Sequence, residues 1–302
     1  MKFTADLLQF FLKKRDWDRK YLLKRVKHML DMLFHVFLMR STYKNLSALK
    51  IIDPAKLSAI TQRVISGNYC GKNFSLTEKL KTVLHHYQTV DQFFLDTFLP
   101  TDREQITLWE NLLETHRYDI RIACSDYPVE GELSLLFFMD DEIIYVISFT
   151  FIDASLKGMN VAKGSSGALI TRVQGVKDTR LQVNTSSKDH FQSYPTFLLY
   201  AALQGITKAL NQQFIIGLCA ESSLSFDSDE DNYYGAYNAF WEKLGGNRIS
   251  KSYFELPVVQ PAKQFSEVSA RHRKRSIGRH ELKKNIADQV EKTISAYLAS
   301  PN

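Results

Sequence analysis

Residues 133–151 read LSLLFFMDDEIIYVISFTF, and this stretch decides the predicted fold class. Two runs rich in β-branched and aromatic residues, Leu133–Met139 and Ile143–Phe151, flank the pair Asp140-Asp141. Such runs are typical of strands, and the Asp140-Asp141 pair between them is typical of a tight turn, so the stretch predicts a β-hairpin. We therefore expect an antiparallel sheet near the middle of the chain.

The strand pattern continues on both sides of this hairpin. One short strand is expected before it, at Ile120–Cys124, and strands alternate with helices after it. The later elements are the strands Ala168–Val173, Phe214–Ala220 and Tyr253–Val259 and the helices Thr196–Leu210 and Gly235–Leu244. An antiparallel run followed by strand–helix–strand–helix–strand predicts an α+β domain with a mixed sheet over residues 119–260.

Both ends of the chain are predicted to be helical. Residues 1–118 carry apolar residues at helical spacing, including a basic amphipathic helix at Leu7–Lys27. Asp53 before Pro54 is typical of a helix start. After residue 260, a basic stretch precedes a helix predicted at Glu281–Leu298. The predicted organisation is a helical region at 1–118, the α+β domain at 119–260, and a basic C-terminal segment and helix at 261–302.

Charge is segregated along the 302 residues, although the net charge is only +6. Residues 1–50 hold 12 Lys and Arg against 4 Asp and Glu, and residues 261–302 hold 9 against 4. The segment between them holds 18 against 25 and is acidic. Basic ends suit an anionic membrane surface, an acidic carrier protein or RNA, or they dock on the acidic middle of the same chain. The residues predicted to bind anions are Arg271, Arg273, Lys274 and Arg275.

Several common classes of protein are disfavoured. The three cysteines form no C-x-x-C pair, so a disulfide framework and a cysteine zinc site are not expected. His85 and His86 are adjacent and point about 100° apart on a helix, which does not suit a shared metal ion. Neither a Walker phosphate loop nor a dinucleotide-binding glycine motif occurs, and no DNA-binding motif is recognised. The expectation is a cytoplasmic protein without a metal site, either free or bound at the inner membrane surface.

The segment YNAFWEKLGG at 237–246 is the most informative motif. An aromatic helix that ends in Gly-Gly and leads into a strand resembles the last helix and strand of Gcn5-related N-acyltransferase (GNAT) folds. That resemblance implies an acyl-transfer cleft between Ala168–Val173 and Phe214–Ala220, with Tyr237 as a catalytic residue and Trp241 as a substrate contact. The alternative is that both aromatic residues belong to the core.

The GNAT resemblance fails at the coenzyme. The connection Gln174–Pro195, where a glycine-rich turn would hold a pyrophosphate, contains only Gly175 and is polar. Coenzyme A is therefore the less favoured donor. An acyl group carried on acyl carrier protein, an aminoacyl-tRNA, or no donor at all fits the sequence better.

Polar residues at the predicted strand ends complete the candidate site. Glu130 is a candidate general base, and His190 is the only imidazole available to the α+β domain. Gln174, Gly175 and Glu221 are candidate substrate contacts. The alternatives are a turn hydrogen bond for Glu130, a surface position for His190 and a solvated loop at Glu221. The hypothesis of a site predicts that Glu130, Gln174, His190 and Tyr237 converge.

The chain as a whole resembles the VirK/YbjX family of bacterial proteins, over about residues 57–282. The matching pieces are VEGELSL at 129–135, IYVISFTF at 144–151, the stretch from Gly167 to Gly175, YNAFWEKLGG at 237–246, FELP at 254–257 and RKRS at 273–276. Where family members tend to have Arg-Pro before the long helix, this chain has Tyr194-Pro195. The resemblance implies links to virulence, surface-protein expression and antimicrobial-peptide resistance, without an established reaction.

Two functional hypotheses follow. The first is an acyl- or aminoacyl-transferase-like enzyme that acts on a cell-envelope or protein substrate. The second is a non-enzymatic regulatory or binding protein whose basic ends contact the inner membrane surface or RNA. RNA is the weaker partner because no aromatic RNA-binding motif occurs.

Overall fold

The computed structural model describes residues 36–93, 105–113, 115–156, 158–159, 161–162, 164–226, 235, 237–260 and 269–298. The predicted basic helix Leu7–Lys27 and the acidic run Asp227–Asp231 lie outside these residues.

One eight-stranded mixed sheet forms the centre of the protein. Its strands are β1 (Gln105–Leu113), β2 (His116–Cys124), β3 (Leu133–Met139), β4 (Glu142–Asp153), β5 (Ser166–Gly175), β6 (Phe214–Leu218), β7 (Asn247–Arg248) and β8 (Tyr253–Leu256). The spatial order is β1-β2-β3-β4-β5-β6-β8-β7, with β5 and β6 parallel and every other pair antiparallel. The predicted α+β class and mixed sheet are confirmed.

The central hairpin has the predicted turn. Asp140 and Asp141 have φ angles of 51° and 68°, so both lie in the left-handed region. A two-residue turn with positive φ at both positions matches the twist of the strands it joins. The turn is also held by the Asp140 carboxylate, whose Oδ1 accepts from the backbone N–H of Arg117 at 2.9 Å.

Helices precede the strands, lie between them and follow them along the chain. After a helical segment at residues 36–47, the helices are α1 (Pro54–Ser66), α2 (Leu76–Phe93), α3 (Arg180–Asp189), α4 (Pro195–Ala209), α5 (Asn238–Lys243) and α6 (Ala270–Ala296). Asp53 caps α1 as predicted, because its Oδ1 accepts from the N–H of Ala55 at 2.8 Å.

Two sequence-based assignments need correction. The predicted helical region 1–118 is wrong at its end, where residues 105–113 form β1 and residues 116–118 begin β2. The apolar residues of β1 fit a helical and a strand period equally well, and pairing with β2 decides the outcome. The basic stretch Arg271–Arg275 does not precede the last helix but forms part of it, since α6 begins at Ala270.

The sheet lies between two helical layers. Leu169 and Ile216 point to a core shared with α1 and α2, whereas Ile170 and Ile215 point to a core shared with α4 and α6. Helices α4 and α6 approach so closely that a Cβ at Gly205 would lie 2.4 Å from the carbonyl oxygen of Ala287. The C-terminal helix is therefore an integral part of one layer.

Candidate functional site

The two parallel strands at the centre of the sheet diverge. Their pairing runs from Gly167 opposite Phe214 to Ile170 opposite Gly217, and β5 then continues to Gly175 paired only with β4. Thr171 is the extra residue of a β-bulge, since Phe149 pairs with Ile170 and Ser148 pairs with Arg172. Bulges re-aim the strand beyond them and are frequent beside active sites.

Tyr237 lies where β5 and β6 separate. The backbone N–H of Val173, on β5 beyond the last pair with β6, donates to the Tyr237 hydroxyl at 3.3 Å. The hydroxyl of Ser223 is 3.5 Å from the same oxygen. Tyr237 and Ser223 are both buried, and Tyr237 is the residue before α5. The segment 237–246 therefore places the Tyr237 hydroxyl at the point where β5 and β6 separate.

Glu130 lies on the solvent side of this position. Its Oε1 accepts from the hydroxyl of Ser225 at 2.8 Å, and its Oε2 is 3.5 Å from Nε of Arg172. The same Nε of Arg172 donates to Oε1 of Gln174 at 2.8 Å. Only 13% of the Glu130 side chain is exposed. A carboxylate, a guanidinium and an amide thus share one surface at the end of β5.

A glycine makes the close approach of Glu130 to the sheet feasible. Gly131 has a φ of 121°, and a Cβ there would lie 2.8 Å from both the backbone nitrogen of Phe149 and Oγ1 of Thr171. Thr171, the bulge residue, donates its hydroxyl to the carbonyl of Glu130. The bulge and the glycine therefore fix the short helical turn Pro128–Glu130 against the sheet.

Two serine hydroxyls connect these groups. Oγ of Ser225 lies 3.5 Å from Oγ of Ser223, so contacts run from the Glu130 carboxylate through both serines to the Tyr237 hydroxyl. We refer to Glu130, Arg172, Gln174, Ser223, Ser225 and Tyr237 as the Glu130–Tyr237 network. Three of its members were candidates from sequence. Ser223 also follows from the sequence, since it lies with Glu221 directly after the strand Phe214–Ala220, whereas Arg172 and Ser225 were missed because their role depends on contacts between residues distant in sequence.

Tyr145 covers Gly175, which was predicted to contact the substrate. The two residues pair across β4 and β5, and a Cβ at Gly175 would lie 3.3 Å from the Tyr145 ring. Burial, reinforced by the neighbouring Tyr237, raises the pKa of Tyr145 to about 12. Gly175 therefore gives room to an aromatic side chain beside the network.

Trp241 and Glu221 lie near the network without a hydrogen bond to it. Trp241 is fully buried, donates its indole N–H to the carbonyl of Leu218 at 2.7 Å, and fills the space above Gly217. Trp241 therefore belongs to the core, which was the alternative to a role in substrate contact. Glu221 accepts from Asn238, the first residue of α5, at 3.4 Å, and its Oε1 lies 3.5 Å from Nη2 of Arg248 on β7.

His190 occupies a different part of the protein. It is fully buried, so the expectation of a surface histidine was wrong. The centroid of its ring lies 4.5 Å from that of the Tyr118 ring, and the rings of Phe137 and Trp109 lie 5.9 and 6.2 Å away. Nδ1 lies 2.7 Å from the carbonyl of Ser186, while the buried Nε2 has no partner among the described residues. Burial lowers the pKa of His190, so the ring is neutral at physiological pH. These contacts separate it from the Glu130–Tyr237 network.

A second carboxylate, Glu132, is bound inside the protein. Its oxygens lie 2.7 Å from Nη2 of Arg63 on α1 and accept from the hydroxyls of Tyr69 and Tyr87 at 2.6 and 3.0 Å. Burial, together with the Glu132 charge, raises the pKa of both tyrosines. The Glu132 carboxylate binds side chains of α1, α2 and the link between them, which indicates a role in holding these helices to the sheet.

The predicted anion-binding residues lie in the first turns of α6. Arg271, Arg273 and Lys274 are exposed, whereas Arg275 is half-buried and donates from Nη1 to Oε1 of Gln192. Within the described ranges, no three His, Cys, Asp or Glu side chains are grouped to hold a metal ion. Among the same residues, no helix combines the length and apolarity needed to cross a membrane.

These features define a mixed α+β protein with a polar network at the divergence of two parallel strands. The chain belongs to a family of proteins of unknown function, DUF535, whose profile matches residues 18–292. It is similar to the uncharacterized protein YbjX of Escherichia coli (strain K12), with 23% identity over 235 residues, or 74% of this chain and 68% of YbjX. The resemblance to the VirK/YbjX family is thereby confirmed. No solved structure matches the protein.

Proposed function

We propose that the protein is an acyl- or aminoacyl-transferase that works at the Glu130–Tyr237 network. The main support for the proposal is the Tyr237 hydroxyl at the strand divergence. It accepts from the N–H of Val173, and contacts through Ser223 and Ser225 connect it to Glu130. This arrangement connects a carboxylate that can act as a general base to a hydroxyl that can act as a general acid, the two roles that acid–base catalysis of acyl transfer uses. The GNAT resemblance of the segment 237–246 agrees with it.

In the proposed reaction, Glu130 takes one proton and Tyr237 gives one, and both residues recover their starting state at the end. The amine or hydroxyl of the acceptor gives its proton to Glu130 and bonds to the acyl carbon. The bond from that carbon to the donor sulfur or oxygen breaks, and the leaving group takes the proton of Tyr237. Ser225 and Ser223 then return the proton from Glu130 to Tyr237. The N–H of Val173 donates to the Tyr237 hydroxyl and holds it in position for these proton transfers.

The donor is proposed to be an acyl group on acyl carrier protein or an aminoacyl-tRNA, since the sequence provides no glycine-rich cradle for coenzyme A. The acceptor is proposed to be a cell-envelope or protein substrate. Helix α3 occupies the connection between β5 and α4 where such a cradle would be.

The test is donor consumption by the purified protein. Acyl-loaded carrier protein, aminoacyl-tRNA and acyl-coenzyme A are each incubated with bacterial envelope extract, and the loss of the thioester or ester bond is followed. Tyr237→Phe and Glu130→Gln should each lower the rate by about 10²–10⁴-fold, the usual contribution of a general acid or base. Ser223→Ala should lower it as well, because it interrupts proton return.

Tyr200→Phe is the matched control. Tyr200 is a buried tyrosine that donates to the carbonyl of Pro257 at 2.8 Å, outside the network. Its loss should reduce stability slightly and leave the rate per folded molecule unchanged. A rate that is the same in Tyr237→Phe and in the native protein would argue against the proposal.

A second candidate function is favoured by the exposure of Arg271, Arg273 and Lys274 at the start of α6. In this proposal the protein has no catalytic role and binds the anionic surface of the inner membrane. Binding to vesicles containing phosphatidylglycerol should then weaken steeply with added salt, because exposed charges are screened. Replacing the three residues with Gln should abolish binding and leave donor consumption unaffected.

A further inference from the structure

A cavity of about 260 Å³ lies between α6 and the turn that enters α4. Its polar wall includes Lys243 from α5, Arg279, His280 and Lys283 from α6, and Gln192 and Ser193 from the turn. A concave site lined by Lys243, Arg279 and Lys283, with no Asp or Glu among its described lining residues, is complementary to an anion.

The helix that forms one wall concentrates positive charge in its N-terminal half. Between residues 271 and 283, α6 carries six Lys and Arg against a single Glu281, and its first turn contains no acidic residue. The excess of positive side chains along this part of α6 produces a positive potential, which favours a bound anion.

Arg275 contacts one residue of the same wall. Its Nη1 donates to Oε1 of Gln192, a cavity residue, and Nη2 lies 3.1 Å from Nδ1 of His272. Arg275 does not itself line the cavity, and its contact with Gln192 holds that residue in the cavity wall.

The opposite wall is held in a strained conformation. Phe191 and Gln192 have φ angles of 55° and 60°, which are rare for residues with side chains. The Phe191 ring lies against Gly278 of α6, where a Cβ would approach the ring to 2.7 Å. Helix α6 thus supports the turn that presents Gln192 and Ser193 to the cavity. Backbone strain of this kind is concentrated at functional sites.

The start of α4 lies beside the same cavity. Ser193 before the helix and Phe197 in its first turn both line the cavity, and the helix has no side-chain cap at Tyr194. Pro195 has no N–H, and the N–H of Phe197 donates to the carbonyl of Tyr194 at 3.0 Å, so the donors that face the cavity are side chains. Lysine and arginine side chains are common donors to phosphate.

We propose that this cavity binds the phosphate group of a small phosphorylated ligand. The volume is slightly below the range of about 300–1,000 Å³ for drug-sized ligands, which suits a phosphate or pyrophosphate group better than a polymer. The site contains no member of the Glu130–Tyr237 network and is therefore independent of the proposed acyl transfer.

The experiment measures binding of pyrophosphate to the full chain by calorimetry. Arg279→Gln on α6 and Lys243→Gln on α5 should each weaken binding by about tenfold or more, as expected for a lost charge-assisted hydrogen bond. Lys284→Gln is the matched control, because Lys284 is exposed on α6 and does not line the cavity. Two variants from different helices ensure that a folding defect in one does not decide the result.

A second arm identifies the source of the phosphate. Binding to vesicles of phosphatidylglycerol that pyrophosphate displaces, and that Arg279→Gln weakens, would assign the site to a lipid headgroup. Tight pyrophosphate binding without vesicle binding would assign it to a soluble ligand. Equal affinity in native protein, Arg279→Gln and Lys243→Gln would overturn the proposal, and so would binding only to single-stranded RNA that pyrophosphate fails to displace.

Discussion

The guanidinium of Arg63 and the carboxylate of Glu132 lie 2.7 Å apart and connect helix α1 to the residue before β3. Only 18% and 4% of the two side chains are exposed, so both charges are largely removed from water. Burial lowers the pKa of Arg63, but Glu132 and the adjacent tyrosines outweigh this effect and raise it above its ordinary value. The pair therefore remains charged inside the protein.

Replacing Glu132 with Gln should lower the free energy of unfolding by about 3–5 kcal/mol, because it leaves the Arg63 charge buried without its partner. Urea denaturation measures the change. Glu110→Gln, on the exposed side of β1, is the control and should change stability by less than about 0.5 kcal/mol. Removing both charges with Arg63→Met and Glu132→Leu should recover much of the loss, and a double variant no more stable than Glu132→Gln would contradict this account.

His86 makes stability depend on pH. Burial lowers its pKa to about 3, and its Nδ1 accepts from the N–H of Phe151 at 3.2 Å. Between about pH 3 and 6.5 the unfolded chain binds a proton at this residue and the folded protein does not, so stability falls as the pH falls. From pH 7 to pH 5 the loss at this one residue is about 2 kcal/mol.

The variant His86→Asn keeps an acceptor for the N–H of Phe151 and removes the titration. Its loss of stability from pH 7 to pH 5 should be smaller than that of the native protein by about 2 kcal/mol, measured by urea denaturation at both values. His85 and His190, whose pKa values are also lowered by burial, are present in both proteins and cancel in the comparison. Equal losses in the two proteins would show that His86 is charged when folded.

Gly205→Ala tests the packing of the C-terminal helix. The added Cβ would meet the backbone of α6 at Ala287, which cannot rotate away as a side chain can. We expect destabilisation of about 1–3 kcal/mol, typical of overpacking, with a lower melting temperature. Gly67→Ala is the control, since a Cβ there meets nothing within 4 Å. Equal melting temperatures of the two variants would mean that α4 and α6 are less closely packed.

Trp241→Phe separates a structural role from a functional one. The change leaves the carbonyl of Leu218 without its indole donor and opens space above Gly217, so stability should fall by about 1–3 kcal/mol. Donor consumption per folded molecule should not change. Trp109→Phe, which removes the bond to Asn285 in another part of the core, is the matched control. Reduced consumption at unchanged stability would place Trp241 in the substrate site.

The sequence predicts the strands and helices that carry strong local signals. The β3–β4 hairpin follows from Asp140-Asp141 between two strand-forming runs, and the cap of α1 follows from Asp53. In β1 the spacing of Leu108, Trp109 and Leu112 permits a helix as well as a strand, and only pairing with β2 decides it. Local pattern cannot resolve such a case, because tertiary contacts override propensity.

The sequence predicts several residues of the site but not the contacts between them. Glu130, Gln174, Ser223 and Tyr237 stand out at strand and helix ends, but Arg172 and Ser225 do not. Ser225 meets Glu130 across 95 positions of sequence. His190 was expected at the surface because its segment is polar, yet the turn after α3 places it beneath Tyr118. Side-chain partners of this kind are set by topology, which the sequence pattern specifies only in part.

The single parallel pair in the sheet has a consequence for the order of folding. Strands β1 to β5 are joined to their neighbours in sequence by short links, whereas β6 reaches β5 only after the 38 residues between Gly175 and Phe214. Local pairings form faster than distant ones, since closing a long loop costs more entropy. The antiparallel meander should therefore assemble first, and the strand divergence that holds Tyr237 should be among the last regions of the protein to acquire its native structure.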